Sequence, residues 1–322
     1  MTVGRTAALS DPGRRRRRNE DAYVLLPPLF AVADGMGGAQ AGEVASRLAV
    51  EALKEDDSGG GGVERVATLV QAANRRIWER AGEDASAQGM GTTITVALVG
   101  EDEVAIGHVG DSRAYRFRDG VVEQLTEDHS LVAELMRSGK LSPEEAEAHP
   151  QRSVITRALG TDPDVDVDTF SVDARPGDVF LICSDGLTTM VDEDEILKEL
   201  DRHRGDLDGA AKALVRRANK GGGEDNITVV IFEIVEAGVE EHTAVLAPEP
   251  EEDDTLDELD GIRPLQAPSP VDTIVVPPEQ AASIGAEPSP LDRTAKRVLV
   301  TVLVVLLVAA TVVVLVWWRL AS

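Results

Sequence analysis

The sequence predicts an α+β fold, in which amphipathic helices cover a sheet of buried strands. One observation is a set of short apolar runs bounded by glycine, proline or aspartate, the strongest being Leu29–Ala33, Val179–Cys183 and Ile227–Val235. Another is a pair of longer segments, Ala39–Lys54 and Val63–Ala81, whose apolar residues recur at helical spacing. The chain has 322 residues, 43% of them hydrophobic, which is enough for one or two domains with proper cores.

The negative charge of the chain is large and unevenly spread. The formal net charge is −26 at pH 7, which argues against nucleic acid as a partner. Eleven acidic residues and no lysine or arginine lie between Glu236 and Asp260, so the rest of the chain is less acidic than the average suggests. Cys183 is the only cysteine, so an intrachain disulfide cannot form.

Near the N-terminus, five consecutive arginines precede an acidic pair. A run such as Arg14–Arg18 is often a solvated surface or a nucleic-acid patch, but one guanidinium could bind a phosphate through two of its N–H groups. The carboxylates of Glu20 and Asp21 could then hold metal-bound waters. The predicted strand Leu29–Ala33 ends at Asp34-Gly35-Met36-Gly37-Gly38. A carboxylate on a glycine-rich backbone at a strand end suits a hard cation or a phosphate.

Three further strands are predicted after the second helix, at Thr92–Val99, Val104–Val109 and Ala114–Arg118. Asp111 lies between a glycine and a serine at the junction of the second and third of these strands. His108 precedes that junction. A lone histidine beside a strand end more often has a structural role, and catalysis is the alternative.

The polar segment Glu127–Gly160 has few core residues and looks like an insertion that covers a site. Four alternating aspartates follow it, from Asp162 to Asp168, and they invite interpretation as a calcium loop. In such a loop the sixth residue would be glycine and the twelfth glutamate, whereas here they are Val167 and Asp173. We therefore interpret the aspartates as a solvated strand edge.

An aspartate at a strand end recurs in the last third of the folded region. Asp185 directly follows the strand Val179–Cys183 and Ser184, and Asp225 stands just before the strand Ile227–Val235; helices are predicted over Glu193–Leu200 and Leu207–Asn219 between them. Local structural needs do not repeat in this way. The candidate ligands carry oxygen, without a histidine or cysteine cluster, which favours Mg²⁺ or Mn²⁺ over zinc. The four aspartates are Asp34, Asp111, Asp185 and Asp225.

The C-terminal part of the sequence predicts a membrane anchor. Residues 237–292 are rich in Glu, Asp, Pro and Ala and are expected to form a disordered linker. Val298–Trp318 contains 21 residues without a charge, enough to cross a hydrocarbon layer of about 30 Å. Three basic residues precede this span and one follows it, which predicts a cytoplasmic N-terminal part. The expected domains are 1–236, a linker over 237–297, a transmembrane helix over 298–318 and a short outer tail over 319–322.

Five motifs, in this order and spacing, resemble those of the metal-dependent protein serine/threonine phosphatases of the PP2C (PPM) family. With the predicted anchor, the chain resembles the bacterial branch that opposes membrane-bound Ser/Thr kinases. The resemblance covers about residues 5 to 235. The motifs are Arg16–Asp21 (Arg-x-x-Asn-Glu-Asp), Ala33–Gly38 (Ala-Asp-Gly-Met-Gly-Gly), Gly110–Arg113 (Gly-Asp-Ser-Arg), Ser184–Leu187 (Ser-Asp-Gly-Leu) and Asp225-Asn226.

The resemblance implies a four-layer α-β-β-α sandwich, a central antiparallel β-sandwich flanked by helix pairs, with two or three Mn²⁺ or Mg²⁺ ions in a cleft at one end. It further implies that a flap over residues 126–161 shapes substrate access. Phosphorylated proteins, among them Ser/Thr kinases and their substrates, would be the partners. The resemblance implies that Asp34 bridges two metals, that Asp185 and Asp225 complete the shell of the first, and that the carbonyl of Gly35 binds the second. Glu20 and Asp21 would act through waters, and Asp111 with Asp185 would hold a third metal. Arg16 would bind the substrate phosphate.

The chemistry expected of such a site is hydrolysis without a covalent intermediate. Two cations roughly 3.5–4 Å apart share a water and lower its pKa, and the resulting hydroxide attacks phosphorus while Arg16 and the metals stabilise the phosphoryl charge. One position departs from the family. Animal members have a histidine, a proposed general acid, where this chain has Met36, so the acid would be a water on the third metal or His108.

Two other functions remain open from the sequence. A catalytically inactive scaffold that binds phosphoproteins or kinases is the alternative from a different class, although such relatives usually lose a metal ligand. A narrower alternative is a phosphatase that acts on a sigma-factor regulator.

Overall fold

The computed structural model describes residues 1–37, 41–55, 60–83, 87–238 and 274–275. All of them lie in one compact unit, Met1–Pro277. In chain order the strands are β1 (Thr2–Asp11), β2 (Asp21–Leu26), β3 (Leu29–Met36), β4 (Gly91–Thr92), β5 (Ile94–Val99), β6 (Glu103–Val109), β7 (Arg113–Arg118), β8 (Val121–Gln124), β9 (Val154–Ile155), β10 (Asp168–Asp173), β11 (Val179–Cys183), β12 (Ile227–Val235) and β13 (Ile274–Val275). The helices are α1 (Ala41–Glu55), α2 (Gly62–Glu83), α3 (Leu131–Arg137), α4 (Pro143–Glu147), α5 (Asp185–Thr188), α6 (Glu193–Arg202) and α7 (Leu207–Gly221).

The strands form two antiparallel sheets. The first has the order β10-β6-β5-β3-β2, with β4 beside β3, and the second has the order β1-β12-β11-β7-β8. A separate two-stranded piece pairs β13 with β9 in parallel.

The two sheets pack face to face over a shared hydrophobic core. Phe30 from the first sheet stacks on Phe232 from the second, with ring centroids 4.1 Å apart, and Phe180 stacks on Phe232 at 5.1 Å. All three rings are buried. Side chains alternate between the faces of a strand, so the neighbouring residues Ala31 and Leu181 point outward and meet the helices instead.

Helices cover the outer face of each sheet. Helices α1 and α2 pack on the first sheet through small and branched residues such as Ala45 and Ile77. Helices α6 and α7 pack on the second through Ile196 and Leu214. The predicted four-layer α-β-β-α sandwich is therefore confirmed, because each helix has one apolar stripe that a sheet face can bury.

Most predicted elements agree with the structure within about three residues, and several short ones were missed. The N-terminal strand β1 was not predicted, although it pairs with β12 over most of its length. The predicted strand Thr92–Val99 is divided, because Thr92 pairs with Gly35 while β5 continues beside β3. The alternating aspartates end at the edge strand β10, which begins at Asp168, so only the last of them lies in the strand.

Within the described ranges, we find no helix that is long and apolar enough to cross a membrane. The predicted transmembrane segment Val298–Trp318 lies outside the described residues. The same is true of the predicted linker over 237–297, except for residues 237–238 and for the pair Ile274–Val275, which forms β13 beside β9.

Candidate active site

The first sheet places two carboxylates opposite each other. Asp21 begins β2 and is the direct antiparallel neighbour of Asp34 near the end of β3. The next residue, Gly35, approaches other backbone so closely that an added Cβ would lie 2.2 Å from the Gly42 carbonyl oxygen and 2.5 Å from that of Glu20. Only glycine allows this approach, which brings the Asp34-Gly35 motif against the start of α1 and the Glu20 backbone.

The second sheet brings Asp185 and Asp225 to the same end of the sandwich. Strands β11 and β12 are antiparallel neighbours, so the end of one lies beside the start of the other. Here too a glycine permits the contact, because a Cβ on Gly186 would lie 2.0 Å from the Asn226 carbonyl oxygen. The Ser184 hydroxyl donates to Asp21 Oδ2 at 2.8 Å and thereby joins the two sheets.

Asp111 lies in the connection between β6 of the first sheet and β7 of the second, and it is 8% exposed. Its neighbour Ser112 shares a 2.6 Å hydrogen bond with the Thr93 hydroxyl. The Thr93 backbone N–H in turn donates to the Asp34 carbonyl oxygen at 2.9 Å. Hydrogen bonds therefore connect the Asp111 loop to the end of β3.

The arginine run reaches the same site through Arg16. Its Nη2 atom lies 2.8 Å from Asp225 Oδ2, so a guanidinium faces the carboxylates directly. The side-chain amide of Asn226 holds this loop, donating to the carbonyl oxygens of Pro12 at 3.1 Å and Arg18 at 2.9 Å. Asn226 Oδ1 also accepts from the Glu20 N–H at 2.8 Å. Asp21, Asp34, Asp111, Asp185 and Asp225 thus lie near one another, with Arg16 beside them, whereas Glu20 joins them through hydrogen bonds of its backbone.

Burial and mutual repulsion make it costly to ionise these carboxylates together. Burial and, after it, the neighbouring charge of Asp225 together raise the pKa of Asp21 to about 7 and that of Asp185 to about 6. The pKa values of Asp34 and Asp111 are also well above the ordinary range, first because of burial and then because of nearby aspartates. A positive charge placed among them would remove this penalty.

Two buried carboxylate oxygens indicate that a cation would be stable at this position. Asp21 Oδ1 and Asp185 Oδ1 are buried and have no hydrogen-bond partner in the described structure. A buried carboxylate oxygen without a partner is unfavourable, and divalent cations with oxygen ligands would satisfy both atoms. As the described side chains stand, no group of three His, Cys, Asp or Glu residues could hold an ion.

The raised pKa values predict how the stability of the protein depends on pH. With a chelator present, we expect the Tm to fall as the pH rises from about 6.5 to about 8. In this range the folded protein releases the proton of Asp21, whose pKa is raised to about 7, whereas the unfolded chain has already lost it, so stability decreases. The lowered pKa values of the buried residues His108 and His129 make stability rise with pH instead, but only below the ordinary histidine pKa of 6.5. Differential scanning fluorimetry in EDTA and in Mn²⁺ measures both profiles.

Manganese should raise the Tm and flatten this pH dependence, because the ion stabilises the ionised carboxylates of the folded state. A chelated protein whose Tm rises or stays constant between pH 6.5 and 8 would show that the carboxylates do not repel one another as described.

The surroundings of His108 favour the structural role over that of the general acid. Its ring is buried, with Nδ1 2.9 Å from the Thr95 hydroxyl and Nε2 3.1 Å from the Glu127 carbonyl oxygen. Burial lowers its pKa to about 3, so the ring is neutral at pH 7. Met36 is also buried and packs against Ile155 and Ala158 of the predicted flap. At this position the chain uses an apolar contact with the flap.

His129 is a residue of the site that the sequence analysis missed. Its Nδ1 accepts from the Gly110 N–H at 3.0 Å, and its own backbone N–H donates to the Gly110 carbonyl oxygen at 2.7 Å. Its Nε2 lies 3.1 Å from Asp168 Oδ2. His129 therefore fastens the beginning of the flap to the residue before Asp111. The only sequence signal was its position at the start of the polar insertion.

The predicted insertion does cover the site. Helices α3 and α4, with Arg152 and Ser153 just before β9, form one wall of a cavity of about 590 Å³, and α5 with the segment after it forms another. Asp111 and Asp185 lie in the lining of this cavity, together with Arg113. Arg113 makes a two-pronged ion pair with Asp128, at 2.8 and 2.7 Å, which connects β7 to the flap.

One class of metal-dependent phosphatases is defined by two antiparallel sheets between helix pairs, with clustered aspartates at one end and an arginine beside them. A sequence model of the family Protein phosphatase 2C matches residues 17–218. The chain therefore belongs to the PP2C family of protein serine/threonine phosphatases, whose members use Mn²⁺ or Mg²⁺.

Known relatives agree with this assignment. The serine/threonine phosphatase stp of Listeria monocytogenes is 42% identical over 236 residues, which are 70% of this chain and 93% of that protein. The serine/threonine protein phosphatase PstP of Mycobacterium tuberculosis is 40% identical over 248 residues, 76% of this chain and 48% of that protein.

Solved structures show the same fold. The crystal structure of PstP/Ppp from Mycobacterium tuberculosis has a TM-score of 0.69 at 40% identity and covers 73% of this chain and 100% of its own. The catalytic domain of PstP in complex with two manganese ions has a TM-score of 0.68 at 38% identity and covers the same shares.

Proposed function

We propose that this phosphatase removes phosphate from phosphoserine and phosphothreonine in proteins by metal-dependent hydrolysis, reversing the action of membrane Ser/Thr kinases. The observation that carries the proposal is the pair of buried oxygens, Asp21 Oδ1 and Asp185 Oδ1, which have no partner within the described structure and lie in a cluster of aspartates with raised pKa values. When bound there, divalent cations would supply a water of lowered pKa and neutralise phosphoryl charge.

The residues of the chain would hold and orient the reacting groups. Asp34, the Gly35 carbonyl, Asp185 and Asp225 would bind the two principal cations, and Asp111 with Asp185 would bind a third. Glu20 and Asp21 would act through waters. The guanidinium of Arg16, held in place by Asp225, would bind two oxygens of the substrate phosphate.

Neither His108 nor Met36 is suited to supply the proton of the leaving group. His108 is buried and both of its ring nitrogens are engaged, and Met36 has no proton to give. Of the two candidates that the sequence left open, a water near Asp111 and Asp185 is the one that we propose.

Hydrolysis of p-nitrophenyl phosphate and of a phosphothreonine peptide by the full-length protein, with and without Mn²⁺, tests the proposal. We expect turnover of both substrates that EDTA abolishes and Mn²⁺ restores. The inactive scaffold predicts binding of the phosphopeptide without release of phosphate. The complete set of carboxylates argues against the scaffold.

We also propose that the enzyme is a single-pass membrane protein with its catalytic domain in the cytoplasm. The support is the uncharged segment Val298–Trp318 and the three basic residues before it. Deletion of residues 298–322 should move the protein from the membrane fraction to the soluble fraction and leave kcat for p-nitrophenyl phosphate within about twofold, because the span supplies no residue of the site. Fractionation and assay of the two forms measure this. Retention of the truncated protein on membranes would contradict the anchor.

A further inference from the structure

A basic cleft lies between helices α6 and α7, on the outer side of the second sheet. Its volume is about 620 Å³. Five arginine and lysine side chains but only one carboxylate, that of Glu199, line it, although the protein carries a net charge of −26. The cationic lining consists of Arg14, Arg202, Arg216, Arg217 and Lys220.

The helices concentrate these charges by their geometry. Ala213, Arg216, Arg217 and Lys220 are three, four and seven residues apart on α7, so they share one helix face. The small side chain of Ala213 leaves the space open at the floor of the cleft. The other wall is α6, which contributes Glu199 and Arg202.

More positive charge is available in the cleft than its own acidic residues neutralise. Arg202 pairs with Glu199 at 2.9 Å, and Arg217 pairs with Glu195. Among the residues that the structure describes, we find no ion pair of Arg14, Arg216 or Lys220. Within the described part of the chain, these three cations are therefore not neutralised and can pair with an external anion.

The cleft adjoins the active site through the arginine run. The Arg14 N–H donates to the Gly223 carbonyl oxygen at 2.7 Å, and two residues later Arg16 binds Asp225. Consecutive Cα atoms are about 3.8 Å apart, so the backbones of Arg14 and Arg16 are separated by no more than about 8 Å. A single segment of chain therefore presents one arginine to the cleft and another to the catalytic carboxylates.

We propose that this cleft binds a second anionic group of the phosphoprotein substrate, close in sequence to the residue that is dephosphorylated. Substrates with a second phosphate or with clustered acidic side chains would then be preferred. A net charge of −26 repels such segments, and a local cationic surface beside the site offsets the repulsion. The arginine fork also matches the geometry of phosphate oxygens. The proposal concerns substrate choice and rests on the proposed phosphatase reaction.

The test compares pairs of peptides that carry one phosphothreonine, with or without a phosphoserine two, four, six or eight residues away. For the full-length enzyme at low ionic strength, we expect kcat/KM to be about tenfold higher for the best doubly phosphorylated peptide, mainly through KM. In the double variant Arg216→Glu/Lys220→Glu, the ratio between the two peptides should fall to about one. Added salt should reduce the ratio of the wild type in the same direction.

A matched control distinguishes an effect of the cleft on the peptide preference from an effect of the overall charge of the protein. Lys54→Glu/Arg75→Glu makes the same change of charge on exposed residues of α1 and α2, on the opposite outer layer. This control should keep the tenfold ratio. The proposal is overturned if both double variants lose the ratio equally, or if the cleft variant keeps it.

Two further outcomes are distinguished by the same proteins. If the cleft variant keeps the peptide preference but no longer binds phosphatidylserine vesicles, the cleft serves lipid headgroups and the proposal is overturned. If the wild type hydrolyses neither peptide, the proposed reaction fails, whereas equal hydrolysis of both peptides contradicts only the cleft. Equal Tm values for the variants and the wild type show that the fold is retained.

Discussion

Replacement of Asp34 by asparagine should lower the manganese-dependent kcat by about a thousandfold or more and leave the fold intact. Asparagine has nearly the same size as aspartate but lacks the charge that would hold the cations, and loss of a proposed metal ligand would remove several kcal/mol of transition-state stabilisation. Steady-state hydrolysis of p-nitrophenyl phosphate with a Mn²⁺ titration measures the effect.

The same substitution should raise the Tm of the metal-free protein. Asp34 is surrounded by Asp21, Asp185 and Asp225, and its pKa is raised by burial and by these charges, so a neutral side chain removes repulsion. Asp173→Asn is the matched control, because Asp173 lies at the exposed end of β10 and binds Arg118 far from the cluster. The control should keep full activity. An Asp34→Asn enzyme with wild-type turnover would contradict the assigned site.

Replacement of Gly186 by alanine should cost both activity and stability. The new Cβ would lie 2.0 Å from the Asn226 carbonyl oxygen, and that contact cannot be relieved by a side-chain rotation, since both partners belong to the backbone. Overpacking of this kind costs about 1–3 kcal/mol, and the shift would separate Asp185 from Asp225. We expect a Tm several degrees lower and a kcat reduced by about a hundredfold or more.

The control for this substitution is Gly82→Ala near the end of α2, where an added Cβ meets nothing within 4 Å. Alanine is the better helix former, so this variant should be slightly more stable, by about 0.5–1 kcal/mol. Thermal unfolding and kinetic assays of the two variants separate the clash from the general effect of losing a glycine. Equal Tm values for both variants would show that the backbone contact at Gly186 is looser than described.

The strongest prediction from the sequence concerned the aspartates at strand ends. Asp34, Asp111 and Asp185 each follow an apolar strand and adjoin a glycine, and Asp225 stands just before the apolar strand β12, a pattern that is visible without a structure. The aspartates converge because neighbouring strands are antiparallel, so that the end of one strand lies beside the start of the next at one end of the sandwich.

Other features depend on contacts between distant segments and could not be foreseen. The pairing of Asp21 with Asp34 requires the register of β2 and β3. His129 acts through Gly110, 19 residues earlier, and nothing local marks that hydrogen bond. The sequence left the role of His108 open for the same reason, since it does not show that both ring nitrogens are occupied.

The hydroxyl of Ser184, bonded to Asp21 across the junction of the two sheets, has a consequence for the cell. The carboxylates on either side of this junction belong to different halves of the sandwich, so a divalent ion shared between them would also act as a cross-link of the architecture. Scarcity of manganese would then both lower turnover and make the opened protein more susceptible to proteases.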